Sequence, residues 1–168
     1  GGLVGEDGPT HHGVFDISYL RKLPGMTLMA PRDSREFELM LEFATSHLSG
    51  PIAVRYPRGA VAEETDSPLK SKVPVPIVLG GSEVLREGRD VLILAYGSLV
   101  YTAYEAASLL EKQGVDAAVV NARFAKPLDE KTILNLSKDK RLIVTLEEGS
   151  LAGGFGDGLA PGRGAARL

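Results

Sequence analysis

Cysteine is absent from the chain, which excludes disulfides, cysteine-ligated zinc and thiol catalysis. It leaves the compartment open. No apolar run approaches the ~20 residues that a bilayer-spanning helix needs. An excess of charge is missing too. Lys and Arg total 19 against 22 Asp and Glu, a net charge of −3, so no bulk electrostatic argument favours nucleic acid or an anionic membrane. The opening residues, GGLVGEDG, have neither the basic nor the apolar region of a secretory signal. An initiator Met is also lacking, so a fragment or a processed chain is expected. What remains is ordinary for a globular protein: 168 residues, 43% hydrophobic and 24% charged, enough for one domain or two small ones.

Helix and strand signals divide the chain. Residues 1–13 are Gly-rich and read as a strand end and a loop. Residues 14–22 suit a short helix that stops before Pro24-Gly25, and Thr27 to Ala30 a short strand. Asp33-Ser34-Arg35-Glu36 has the form of a capping box. Phe37, Met40, Leu41, Ala44 and Leu48 then follow a helical period, which turns them inward. Residues 52–56 read as a strand, closed by Pro57. Between 59 and 76, Gly59, Pro68, Pro74 and Pro76 mark a linker.

The second half is more regular. Val91 to Ala95 is a nearly continuous apolar strand. Ser98 is placed to cap a helix whose inner face is Val100, Ala103, Tyr104, Ala107 and Leu110, ending at Gly114. Val115 to Val120 and Leu142 to Leu146 are further strands. A helix opened by Pro127, Leu128 and Asp129 lies between them, with Ile133, Leu134 and Leu136 inward. Apolar strands alternating with helices predict βαβαβ units and a parallel sheet. The tail GLAPGRGAARL, residues 158–168, has no apolar period. It is expected to be foreign or the sign of a domain cut short.

Histidine is scarce, three in all, yet two stand side by side in GEDGPTHHGVFD, residues 5–16. Taken alone, His11 and His12 read as surface histidines and Asp7-Gly8 as a tight turn. Adjacent histidines do not easily ligate one ion, and no third ligand stands at helical spacing. The functional alternative is a set of hydrogen-bonding groups at the mouth of an α/β sheet. In AVRYPRG, residues 53–59, Arg55 reads as a surface or interface ion-pair partner. Arg58 falls just past the strand's carboxyl end, where open sheets bind ligands and a guanidinium can grip a phosphate. Solvated arginine is the competing reading. GGFGDG, residues 153–158, lacks the spacing of a dinucleotide fingerprint and reads as a tight turn. Glu147 and Glu148 read as solvated strand ends or as contacts to a partner or ligand.

Three stretches together carry a resemblance: GLVGEDGPTHHGVFDISYLRKLPGMTLMAPRD, GPIAVRYPRG and NARFAKPLDE. They resemble the 1-deoxy-D-xylulose-5-phosphate synthase family of transketolase-related thiamine-diphosphate enzymes, from residue 1 to about residue 156. RYPRG favours this family over transketolases, which share a looser version of the loop.

The resemblance implies two doubly wound α/β units. Residues 1–59 would end a pyrimidine-binding domain, 60–76 would be the linker, 77–160 a truncated transketolase C-terminal domain, and 161–168 an irregular tail. It implies condensation of pyruvate with glyceraldehyde 3-phosphate, with loss of carbon dioxide, feeding isoprenoid, thiamine and pyridoxal phosphate synthesis. His11 matches the family's active-site histidine. Asp7 matches a residue that accepts hydrogen bonds from the acceptor's hydroxyls. Arg58 matches an arginine of the acceptor's phosphate site. His12 ranks well below His11.

Family members are homodimers of bacterial cytoplasm or plastid stroma. They bind thiamine diphosphate and Mg2+ through a GDG…Asn motif, and a glutamate activates the pyrimidine. Neither the motif nor that glutamate is in these residues, so no cofactor-binding or metal residue is assigned and the chain alone is expected to be inactive. Two alternatives stand beside this. One is a transketolase-like or 2-oxoacid dehydrogenase β-type subunit completed by a partner chain. The other is a non-catalytic module that binds or dimerises.

Overall fold

The computed structural model describes residues 1–47, 49–59, 69 and 75–159. The tail beyond 159, most of the expected linker and Leu48 lie outside the described residues.

Two sheets organise the molecule. The first begins with α1 (Asp16–Leu20), β1 (Thr27–Met29), α2 (Ser34–Ser46) and β2 (Ile52–Val54). β1 and β2 run parallel, with Leu28 opposite Ala53, so β1–α2–β2 is a crossover unit. Asp33 caps α2 by accepting from Glu36 N–H at 2.9 Å. The expected box is not closed in the usual way, because the Glu36 carboxylate reaches the N–H of Arg32 (2.7 Å) and not that of Asp33. Met40 is fully buried against Met29, and Phe43 and Ala44 pack beside it. Leu41, expected inward, is 44% exposed. Phe43, packed against the Met29–Met40–Phe124 cluster, takes the inward place assigned to Leu41.

The second sheet is built from β3 (Glu83–Arg86), β4 (Val91–Ala95), β5 (Ala117–Asn121) and β7 (Leu142–Leu146), in the order β3-β5-β4-β7. β4 is parallel to both β5 and β7, as the apolar runs predict. The antiparallel edge strand β3 was not foreseen. α3 (Leu99–Glu111) packs Val100, Ala103 and Ala107 onto this sheet. Ser98 precedes it but its side chain makes no capping bond. Gly114 turns the chain after α3 with φ +80°. α4 (Glu130–Ser137) is capped by Asp129, which accepts from Thr132 N–H at 3.1 Å. Ile133 is buried and Leu136 packs on the core, but Leu134 is 63% exposed, having rotated off the inner face.

One strand joins the two halves. β6 (Phe124–Lys126) pairs antiparallel with β1 and completes the first sheet, in the order β2-β1-β6. One core cluster accordingly mixes Leu28 and Ala30 with Leu92, Leu94, Ala118 and Val120.

Buried ions reinforce this junction. Arg123, at φ +58°, donates to Glu36 at 2.7 Å and to Glu83 at 2.9 Å. Arg32 bridges Asp33 (2.9 Å) and Glu83 (2.5 Å). Asn121 Nδ2 donates to both Glu36 oxygens, and Tyr101 donates to Asp33 at 2.8 Å. Burial alone would lower the Arg32 pKa. Glu36, Glu83 and Asp33 outweigh it and hold the guanidinium above its ordinary value.

Candidate functional site

The loop from Gly2 to Gly13 is closed on itself by a bridge, Gly13 N–H to Gly2 O at 2.8 Å. Within it, Gly5–Asp7 and Pro9–His11 form two 3-10 turns. Gly8 joins them at φ +75°, ψ −178°, a conformation essentially confined to glycine. Gly13 is needed for a second reason, since a Cβ there would lie 2.6 Å from Asp16 Oδ2.

The two histidines have different surroundings. His12 is partly buried, and its Nδ1 accepts the N–H of Val4 at 3.0 Å. That bond staples the loop and leaves the ring proton on Nε2. His11 is exposed, and its Nδ1 meets Thr10 Oγ1 at 3.0 Å.

Asp7 and Arg58 are brought into direct contact as an ion pair, their side chains 29% and 63% exposed. Arg58 stands beyond β2, four residues past Val54. It lines a cleft of about 490 Å³ together with Asp16, Tyr19, Arg55 and Tyr56. His11 sits four residues beyond Asp7 on the same loop. It makes no hydrogen bond to either member of the pair among the described residues.

Two expected surface groups are interior struts. Arg55, read from sequence as a surface or interface partner, has a side chain only 8% exposed and pairs with Asp16 at 2.9 Å. Glu147, read as a solvated strand end, accepts the N–H groups of Phe155 (2.7 Å) and Gly156 (2.8 Å). It thereby shapes GGFGDG into a turn and the 3-10 segment Gly156–Leu159. Arg21 donates to the carbonyls of Gly153 and Gly154, docking that turn against α1. The clue in the sequence was the glycine run itself. A Cβ at Gly154 would lie 2.6 Å from Glu147 Oε1, so only glycine lets the chain wrap the carboxylate.

This arrangement of two α/β crossover units, with polar groups at a carboxyl edge, is that of a transketolase-type protein. Residues 1–63 match the family model of the transketolase pyrimidine binding domain, and residues 80–162 that of the transketolase C-terminal domain. The chain belongs to the transketolase family. Among its relatives, the 1-deoxy-D-xylulose-5-phosphate synthase of Synechococcus sp. (strain JA-2-3B'a(2-13)) is 52% identical over 95% of this chain. The 1-deoxy-D-xylulose-5-phosphate synthase 1 of Geobacter sulfurreducens is 54% identical over 93%. The chain spans about a quarter of the length of these relatives, 24% in each case. Among solved structures, a split gene transketolase in an inactive β4 tetramer superposes with TM-score 0.81 at 31% identity. It covers 89% of this chain and 48% of its own. Transketolase from Pichia stipitis in complex with sedoheptulose 7-phosphate superposes with TM-score 0.70 at 27% identity, over 89% of this chain and 22% of its own.

Proposed function

We propose that the chain is part of a 1-deoxy-D-xylulose-5-phosphate synthase, a thiamine-diphosphate-dependent transferase. The enzyme joins pyruvate to glyceraldehyde 3-phosphate, releases carbon dioxide, and supplies isoprenoid, thiamine and pyridoxal phosphate synthesis. The observation that carries the reading is the Asp7–Arg58 pair beyond the carboxyl end of β2. It stands in a chain about half identical to proteins bearing that name. The bacterial origin of those relatives supports the bacterial cytoplasm over the plastid stroma, and homodimers are part of the proposal.

Each residue has a task in this reading. An exposed ion pair contributes only ~0–1 kcal/mol, so an incoming phosphate can take Arg58 from Asp7 at little cost. Arg58 then grips the phosphate with two parallel hydrogen bonds. Asp7, released, accepts from the acceptor's hydroxyls. His11, exposed on the same loop, moves protons to and from the reacting oxygens. When bound, thiamine diphosphate supplies the carbanion stabilisation. Among the described residues no group of three or more His, Asp or Glu could hold a metal. The described residues thus offer no such set of carboxylates or histidines to a magnesium diphosphate.

The test is His11→Ala in the full-length enzyme. The expected kcat falls by ~10²–10⁴-fold, with pyruvate affinity changed only a few-fold. A kcat within a few-fold of wild type removes His11 from the chemistry. A second reading, a subunit completed by a separate chain, is favoured by the likeness to a split gene transketolase. Activity restored by mixing with a separately expressed amino-terminal chain would support it.

A further inference from the structure

We infer that Arg55 is a positioning residue that fixes Arg58 and the Asp7–His11 loop in one frame, an inference resting on the function proposed above. Three chain segments meet on its guanidinium. Nε donates to Asp16 Oδ1 at 2.9 Å, at the start of α1. Nη2 donates to the carbonyl of Gly13 at 3.3 Å, where the histidine loop closes. Nη2 also donates to the carbonyl of Glu148.

Arg55 itself is tied to the sheet, its N–H donating to Met29 O at 2.8 Å, and Arg58 follows three residues later. Each anchor is stiff for its own reason. Asp16 also accepts the N–H of Ile17 at 2.8 Å, and Ile17 is fully buried. Gly13 is bonded to Gly2. Glu148 follows the carboxylate around which the 147–156 turn is wrapped. Asp7 and His11, by contrast, sit on short 3-10 turns that bury no residue of their own. Their relative placement therefore depends on the fork of Arg55, which a lysine's point charge does not reproduce. Small errors of placement cost rate steeply when a site works by orientation.

The experiment uses Arg55→Gln and Arg55→Lys in the full-length enzyme, with Arg58→Ala as reference. Amide exchange at residues 9–15 and 148–156 should rise at least tenfold in Arg55→Gln and stay unchanged in α3. The kcat/KM ratio of glyceraldehyde 3-phosphate to glyceraldehyde should fall roughly tenfold, the worth of a charge-assisted hydrogen bond. Adding Arg55→Gln to Arg58→Ala should lower that ratio no further. Arg55→Lys should recover part of both effects, and it carries the test alone if Arg55→Gln does not fold. Unchanged exchange overturns the inference whatever the kinetics. So does faster exchange with an unchanged acceptor ratio while Arg58→Ala lowers it. If neither variant changes the ratio, the phosphate role of Arg58 fails, and the positioning role fails with it.

Discussion

Replacing Arg123 by alanine should cost ~3–5 kcal/mol, the usual penalty for removing one partner of a buried ion pair. The side chain is 4% exposed and serves two carboxylates, Glu36 at 2.7 Å and Glu83 at 2.9 Å. With Arg32 it balances Asp33, Glu36 and Glu83, so the cluster carries one net negative charge. Alanine makes that two, with Glu36 3% exposed and left to Asn121 and the N–H of Arg32. Backbone strain supplies an internal control. Arg123 sits at φ +58°, which costs an L-residue ~1–2 kcal/mol. Arg123→Gly loses the same ion pairs but relieves the strain, so it should be ~1 kcal/mol more stable than Arg123→Ala. Urea unfolding followed by circular dichroism reads both. In a Glu36→Gln background the cost of Arg123→Ala should shrink by ~1 kcal/mol or more, since the two groups are coupled. An Arg123→Ala cost below ~1 kcal/mol, or full additivity with Glu36→Gln, would refute the buried-charge argument.

Two further predictions concern stability. Burial pushes the Asp129 pKa up, but bonds from Ser82 N–H, Ser82 Oγ and Thr132 N–H outweigh it and hold the carboxyl below 3.8. A depressed folded pKa gives stability that is full above the unfolded value and lost as pH falls through the folded one. Asp129→Ala should therefore cost ~1 kcal/mol at pH 7, and the gap to wild type should narrow below pH 3.8 in acid-unfolding titrations. The Tyr96 hydroxyl is buried without a hydrogen-bond partner among the described residues, and burial holds its pKa far above the ordinary tyrosine range. Tyr96→Phe should leave the melting temperature unchanged or raise it, because an unmade bond is removed and the stack on Phe155 (5.4 Å) is kept. A clear fall in melting temperature would mean that the hydroxyl has a partner.

Legibility in the sequence followed burial of apolar groups. β4 and β5 are apolar runs buried on both faces, β7 is an apolar run beside them, and Asp33 stands where a cap stands, so all four were readable. β3, Glu-Val-Leu-Arg, was not, because its two charged residues, which pair with Arg123 and Glu111, leave no apolar run to read. β6 is three residues long and pairs with β1, about a hundred positions away, which no local pattern reports. Arg55 and Arg123 were lost for one common reason: hydropathy assigns charge to the surface, and these guanidinium groups are buried because each found a partner far along the chain. The candidate site was legible only through its motif. Spacing alone did not distinguish His11 from His12, whereas the bond from Val4 N–H to His12 does.

Arg58, released from Asp7, is proposed to hold the phosphate of the acceptor. Arg58→Ala in the full-length enzyme, assayed with glyceraldehyde 3-phosphate and with unphosphorylated glyceraldehyde, tests it most directly. The expected kcat/KM loss is roughly ten- to a hundred-fold for the phosphorylated acceptor, with partial recovery in Arg58→Lys and almost no change for glyceraldehyde. Equal losses for both acceptors would contradict it.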